Sequence, residues 1–400
     1  MAKSVTVTCV ILCIFFVFSG CTPDNNPSTF SSTQPVENNK QSIWSGKNGK
    51  YPKIASWLAK KDEIIASKKP YDLVMTAWFT PEEAAMIKSQ NPDAVLLAGL
   101  TVNWVWDNQG WMTFLVTIAN YGREKPFNID EEMYLHHPDG SRCAFGWASE
   151  EWGQEEIYAM DSRNPEWVEL ITTFYKHVLE QPQHDGIIID MVTEKSWCPE
   201  VISDEEWVDA TLQIFRGIKE INTLHKPVIL NAGKDFPEID SYRDCMDGYL
   251  MENFMGNQVK STFDEGLAVL NGDFIVIYAV DTDDTGIKDM NKMRLGLTLS
   301  MMGDNTYFTC DFGPRDHGQA WWFPEYDVNL GSPLGPYYRQ GDAYYREFEN
   351  GTVVASPYSR TEVSFDGEAT DITTGEKSNT FYIDEGDGRI YLQTAGIDKR

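Results

Sequence analysis

Apolar residues first gather in one unbroken block, residues 5–18, and then thin out until about Gly46. From residue 70 the pattern becomes rhythmic. Short apolar runs of strand length alternate with stretches whose apolar residues recur every three or four positions, as strands feeding amphipathic helices do. Residues 71–78 and 94–100 read as the first two strands. Thr80-Pro81-Glu82-Glu83 lies between them, a capping box with proline at the first helical position. Residues 156–161 read as a short third strand. Asn164-Pro165 then opens a helix with Trp167, Leu170, Ile171, Phe174 and Val178 on one face. Strands four to eight follow at 186–190, 227–231, 247–252, 274–280 and 305–310. Gly186-Ile187-Ile188-Ile189 is continuously apolar, as a parallel strand buried on both faces should be.

Eight such units predict an α/β fold, a (β/α)8 TIM barrel. The competing open, doubly wound sheet would need a glycine-rich phosphate turn, which is missing. Residues 51–58 read as an extra strand or a lead-in segment, and 103–155 as a loop-rich excursion. Near residue 340 the rhythm changes. Asn350-Gly351 between two strand-like runs is a hairpin signal, and 380–383 and 389–392 read as further strands. The expected organisation is a barrel domain over 49–340 and a small C-terminal antiparallel β domain over 341–400.

The amino-terminal block has the length of a signal-peptide core and is shorter than a membrane span. It ends in Ser19-Gly20-Cys21, which resembles a bacterial lipoprotein signal over residues 1–21, with Cys21 as the lipidated first residue of the mature chain. An ordinary secretory cut is the alternative. Residues 22–48 are rich in Ser, Asn, Pro and Gln and read as a flexible tether. The expected place is therefore the bacterial envelope, with the membrane reached through a lipid anchor. Four cysteines remain after processing, Cys143, Cys198, Cys245 and Cys310, and their spacing does not say which pair.

With 61 acidic and 33 basic residues the chain carries a formal charge of −28, which disfavours nucleic acid as a partner. No H-x-H, H-E-x-x-H or G-x-S-x-G occurs, and no histidine ends a strand. Neither a metal site nor a cofactor is expected. Asp281-Thr282-Asp283-Asp284 resembles the start of a calcium loop but lacks its later ligands.

The strand ends carry the chemistry. In a barrel the active site lies at the carboxyl ends of the strands. There the expected residues are Asp161, Asp190, Asn231 and Glu252. A carboxylate at the edge of a dry core costs free energy unless it is paired or used. Two facing carboxylates are what glycoside hydrolysis requires. Thirteen tryptophans support a sugar ligand, because several follow strand ends: Trp78, Trp104, Trp106, Trp197, Trp321 and Trp322. A carbohydrate is therefore the expected partner, with Trp78, Trp104, Trp197 and Trp321 among its contacts.

Three motifs carry a family resemblance. His184-Asp185-Gly186-Ile187-Ile188-Ile189-Asp190 resembles the strand-four signature of a group of secreted barrel hydrolases. Asp247-Gly248-Tyr249-Leu250-Met251-Glu252 resembles their strand six. Leu330-Gly331-Ser332-Pro333-Leu334-Gly335 with Arg346-Glu347-Phe348-Glu349-Asn350-Gly351 is similar to the tail of an uncharacterised glycoside hydrolase family. That family is similar to endo-α-1,4-polygalactosaminidases and, more distantly, to the α-galactosidase clan. The resemblance implies a retaining mechanism at an α-linkage, with Asp190 as nucleophile and Glu252 as acid/base. Asp161, Asn231 and Tyr278 would line the subsites by position. The alternative expectation is a glycan-binding surface lipoprotein without catalysis.

Overall fold

The computed structural model describes residues 51–145, 156–231, 233, 240–252, 254–255, 259, 263, 274–281, 285–313 and 319–393. The amino-terminal block, Cys21 and the tether lie outside these residues, as do 282–284 of the acidic loop.

Eight parallel strands form the main sheet in chain order: β1 (Ala55–Trp57), β2 (Leu73–Thr76), β3 (Val95–Ala98), β4 (Gly186–Ile189), β5 (Val228–Asn231), β6 (Gly248–Met251), β7 (Ile275–Asp281) and β8 (Thr306–Asp311). A parallel bridge from Ile54 to Phe308 closes the ring, and the Phe308 N–H donates to the Lys53 carbonyl at 3.0 Å. Helices Lys61–Ser67, Pro81–Gln90, Pro165–Glu180, Asp204–Ile221 and Met290–Ser300 lie in the crossovers. The molecule is a (β/α)8 barrel.

Its membership differs from the expectation in one exchange. Residues 51–58 hold a true barrel strand, β1. Residues 156–161 do not: Ile157–Ala159 pairs antiparallel with Trp104–Trp106, forming a ribbon outside the barrel. A three-residue apolar run carries no information about its partner, so local pattern could not separate the two cases. The excursion between β3 and β4 also contains a helix, Gln109–Ala119, capped by the Asn108 side chain. Its sequence is apolar nearly all round, which erased the polar face that would have marked it.

Alternation along the strands divides the core in two. Leu73, Met75, Val95, Leu97, Ile188, Ile229, Leu250 and Ile277 point inward and form one cluster. Their neighbours Val74, Leu96, Ile187, Ile189, Leu230 and Val276 point outward and pack with Trp167, Phe174, Ile214 and Leu297 from the helices.

One device recurs at the amino ends of β2, β4 and β6. Asp72, Asp185 and Asp247 each donate a backbone N–H to a carbonyl of the preceding strand, at Ile54, Leu96 and Val228. Each then accepts that same residue's N–H on its own carboxylate, at 2.8, 2.9 and 3.0 Å. Two of these clasps are the Asp-Gly pairs of the sequence motifs. The glycines follow from close approach, since a Cβ at Gly186 would sit 2.6 Å from the Pro227 carbonyl oxygen and one at Gly248 2.4 Å from that of Ile275. The Asp-Gly half of each motif therefore builds the bottom of the barrel.

The carboxyl-terminal sheet is antiparallel and has the order β9-β10-β11-β14-β12-β13, from β9 (Tyr338–Gln340), β10 (Ala343–Phe348), β11 (Gly351–Ser356), β12 (Thr361–Asp371), β13 (Lys377–Ile383) and β14 (Asp387–Gln393). It docks on the last barrel helix through buried arginines. Arg346 donates to the carbonyls of Met301 and Gly303 at the carboxyl end of that helix, at 3.0 and 2.6 Å. Arg294 forms a two-pronged ion pair with Asp387, at 2.9 and 3.0 Å.

A buried histidine makes the fold sensitive to acid. His184 lies 2.9 Å from the Val178 carbonyl through Nδ1, and its Nε2 lies 3.3 Å from both the Phe79 N–H and the Phe79 carbonyl. Burial holds its pKa down at about 4. Below its ordinary pKa the unfolded chain binds a proton that the folded chain refuses, so stability falls as pH drops from ~6.5 towards 4. Urea unfolding should lose about 2 kcal/mol between pH 7 and pH 5 from this group alone. In His184→Gln that part of the slope should vanish. A second prediction concerns the clasps: Asp247→Ala should cost about 1–3 kcal/mol by leaving the Val228 N–H without its carboxylate. Its denaturation midpoint checks this.

Candidate active site

The two-residue period that builds the core also delivers the site. Gly186 and Ile188 point inward, so Asp190 does as well. By the same count Ile229 leads to Asn231, Leu250 to Glu252, and Tyr307 to Asp311. Four polar residues thus converge at the carboxyl mouth: Asp190, Asn231 and Glu252 one step beyond an inward apolar position, and Asp311 two steps beyond Tyr307, past Thr309.

Asn231 is the hub. It is 1% exposed, and its Oδ1 accepts the Gly233 N–H at 2.8 Å, which sets the orientation of the amide. Its Nδ2 therefore faces the two acids, lying 2.7 Å from Asp190 Oδ1 and 3.0 Å from Glu252 Oε2. One nitrogen within reach of both puts these two oxygens no further apart than the two hydrogen bonds laid end to end.

Each acid has further support. Asp190 Oδ1 also accepts the Met191 N–H at 2.8 Å, and Met191 adopts a left-handed φ of 56°. A non-glycine residue in that region stores strain, as is common at functional turns. The Asp190 backbone is held from both sides: its N–H donates to the Leu100 carbonyl at 2.7 Å, and its carbonyl accepts the Trp104 indole N–H at 3.2 Å. Glu252 Oε1 accepts the Trp57 indole N–H at 3.2 Å. These donors orient the Glu252 carboxylate.

A cleft opens beside Glu252, lined by Trp57, Ala279, Thr309, Asp311, Gln319 and Trp321, among others. Trp321 forms a wall. Its indole N–H donates to Asp311 at 3.3 Å, and its carbonyl accepts the Tyr71 hydroxyl at 2.8 Å.

Of the residues expected from sequence, Asp190, Asn231 and Glu252 meet at the mouth and Trp321 stands beside them. The others lie elsewhere. Asp161 follows the ribbon outside the barrel and pairs with Arg163 at 2.8 Å. Tyr278 points outward between strands and helices, packed on Phe254 at 4.2 Å, because its position in β7 has the outward parity. Trp78 packs on His184 and Phe114 in the outer layer. Trp104 acts behind Asp190 rather than in front of it. Trp197 packs on Phe145 in a cluster around the Cys143–Cys198 disulfide, which ties the excursion to the segment after β4. Trp57 and Asp311 were missed. The first lay in a segment of undecided type, and the second fell one residue beyond the assigned end of strand eight.

Among the described residues, one group of metal-type ligands has its donor atoms within 4.8 Å: His137, Cys143 and Cys198. Its two sulfurs are joined to each other, so they offer no thiolate to a metal.

A parallel barrel with two carboxylates at its carboxyl mouth belongs to a class in which sugar-bond hydrolysis is common. Residues 88–352 match the family described as hypothetical glycosyl hydrolase family 15, and the chain belongs to that family. It is a glycoside hydrolase. No curated protein matches the chain. Among solved structures it is similar to the maltogenic α-amylase AmyB of Thermotoga neapolitana, with 9% identity and a TM-score of 0.47 over 83% of this chain and 93% of that one. An α-amylase from Malbranchea cinnamomea gives 12% identity and 0.46 over 83% and 88%. The isomalto-dextranase of Arthrobacter globiformis T6 gives 10% and 0.49 over 88% and 73%.

The hub can be tested directly. Asn231→Ala removes a donor from both acids at once. It should lower kcat by about 10²–10³-fold while circular dichroism stays unchanged. Asn231→Asp, which keeps the shape but adds a third negative charge, should be no better.

Proposed function

We propose that the protein is an exported, lipid-anchored glycoside hydrolase that cleaves an α-linked oligo- or polysaccharide with retention of configuration. In this reading Asp190 is the nucleophile and Glu252 the acid/base. The supporting observation is the single Asn231 nitrogen within hydrogen-bond reach of both carboxylates. So close a pair suits direct attack by one carboxylate.

The reaction runs in two steps. Asp190 attacks the anomeric carbon while Glu252 gives its proton to the departing glycosidic oxygen, and the carbon–oxygen bond breaks. Glu252, now ionised, then takes a proton from water. That water attacks the same carbon and releases Asp190, so two inversions restore the starting configuration. The Asn231 N–H groups can stabilise charge on either acid throughout the cycle. The α-linkage rests on the motif resemblance, and export and anchoring rest on the amino-terminal block that ends at Cys21.

Reducing-sugar release by the mature chain should be measured across α- and β-linked glucans, galactans and polygalactosamine. Asp190→Asn and Glu252→Gln should run beside the wild type. The expected result is release from an α-linked polymer that both variants lose by at least a thousandfold, with the α-anomer appearing first by proton NMR. Release that survives both substitutions would refute the assignment. A first-formed β-anomer would refute retention. Binding without release from any polymer would favour the non-catalytic glycan-binding alternative.

A further inference from the structure

Two loops outside the barrel each bring a pair of metal-type donors to one place. The first is a turn in which the His137 N–H donates to the Ser141 carbonyl at 2.8 Å and the Gly140 N–H to the His137 carbonyl at 2.9 Å. On its returning arm the Cys143 N–H donates to the Leu135 carbonyl at 2.7 Å, so His137 and Cys143 belong to one narrow hairpin. The second is the turn after β4, where the Cys198 carbonyl accepts the N–H groups of Val201 and Ile202 at 2.9 and 3.1 Å. This turn presents Cys198 and Glu200.

Cys143 and Cys198 are buried and joined to each other. A disulfide asks for no polar partner, yet an imidazole and a carboxylate lie against this one. Cys198 Sγ is 3.8 Å from His137 Nδ1 and 3.4 Å from Glu200 Oε1, and those two atoms are 2.8 Å apart. The two sulfurs and a ring nitrogen of His137 all lie within 4.8 Å of one another. Four donors around a tetrahedral zinc ion, each ~2.0–2.3 Å from it, stand about 3.3–3.8 Å from each other. Both contacts of Cys198 already have that spacing. The edge between His137 and Glu200 is shorter and must widen, which the exposed Glu200 side chain can do. Cutting the S–S bond would turn the cluster into two thiolates, an imidazole and a carboxylate, a donor set that suits zinc.

We propose that reduction of the Cys143–Cys198 disulfide converts this cluster into a structural site for one zinc ion, held by Cys143, Cys198, His137 and Glu200. A dithiol supplies the two electrons and two protons of the reduction. Its own sulfurs join, and Cys143 and Cys198 become thiols. Zinc then displaces the two thiol protons to water. A coordinate tie thereby replaces the covalent one between the excursion and the segment after β4. Trp104 and Met191 pack in the cluster around this tie. Trp104 holds the Asp190 carbonyl and Met191 follows Asp190 in the chain, so the tie stands behind the mouth of the barrel. The proposal does not depend on the reaction assigned to that mouth.

The test is metal binding by the mature chain, oxidised or reduced with a dithiol and then desalted without air. Each form is titrated with cobalt(II), a spectroscopic stand-in for zinc, and then with zinc. The reduced wild type should take up cobalt with thiolate charge-transfer absorption and the intense visible bands of a tetrahedral site, and zinc should bleach them. The oxidised chain should show neither. Reduced Cys143→Ser and Cys198→Ser should lose the thiolate absorption, and Cys245→Ser should keep it. His137→Ala and Glu200→Gln retain the disulfide while they fold. After reduction they should bind at least about tenfold more weakly, since even outer-shell partners of a metal cost that much. Zinc should raise the Tm of the reduced chain and leave that of the oxidised chain unchanged. The proposal is overturned if the reduced wild type binds no cobalt or binds it without thiolate absorption, or if the absorption persists in Cys143→Ser. It is equally overturned if His137→Ala or Glu200→Gln binds as tightly as wild type, or if circular dichroism shows the reduced chain unfolded with zinc present.

Discussion

Closing eight short parallel strands into a ring requires each of them to bury both faces, and most of the molecule follows from that requirement. A strand of four residues has two inward places and two outward ones. The inward residues must fill a narrow interior, so they are apolar until the strand runs out. The first inward position beyond the apolar run is the first that can be polar, and there stand Asp190, Asn231 and Glu252, while β8 carries Thr309 and then Asp311. The same ring must be held at its other end, and the Asp72, Asp185 and Asp247 clasps join neighbouring strands where the ladder begins. Stability and chemistry are therefore separated along each strand by only a few residues.

This separation explains the sequence motifs. In Asp185-Gly186-Ile187-Ile188-Ile189-Asp190 the first aspartate is structural and the last faces the mouth. The pattern repeats from Asp247 to Glu252. The tail motif proves structural as well. Arg346 reaches from the carboxyl-terminal sheet to the end of the helix Met290–Ser300, where carbonyl groups lack partners within the helix. The sheet thus braces the helix that precedes β8, and β8 carries Asp311.

The excursion between β3 and β4 contributes differently. Its Trp104 holds the backbone of Asp190, and its Trp111 packs with the inward cluster of the barrel. The Cys143–Cys198 disulfide fastens this layer to the segment after β4. The aromatic residues that sequence suggested as sugar contacts are mostly the packing of this second layer. Trp321 is the exception, because its indole N–H is engaged by a carboxylate at the mouth rather than by a backbone carbonyl beneath it.

The sequence by itself determined the rhythm of strands and helices, the position of Asp190, Asn231 and Glu252 at strand ends, and a hairpin near Asn350-Gly351, whose turn residues the structure places at Glu349 and Asn350. All of these are local, set by apolar period and turn chemistry within a window of a few residues. Three other matters were decided only by the tertiary structure. Residues 55–57 enter the ring and 157–159 do not, because pairing joins runs that the chain holds far apart. Tyr278 turns outward and Asp311 inward, because parity is counted from a register that only the closed ring defines. The two acids face one amide, because the distance between neighbouring strand ends exists only once the barrel has closed.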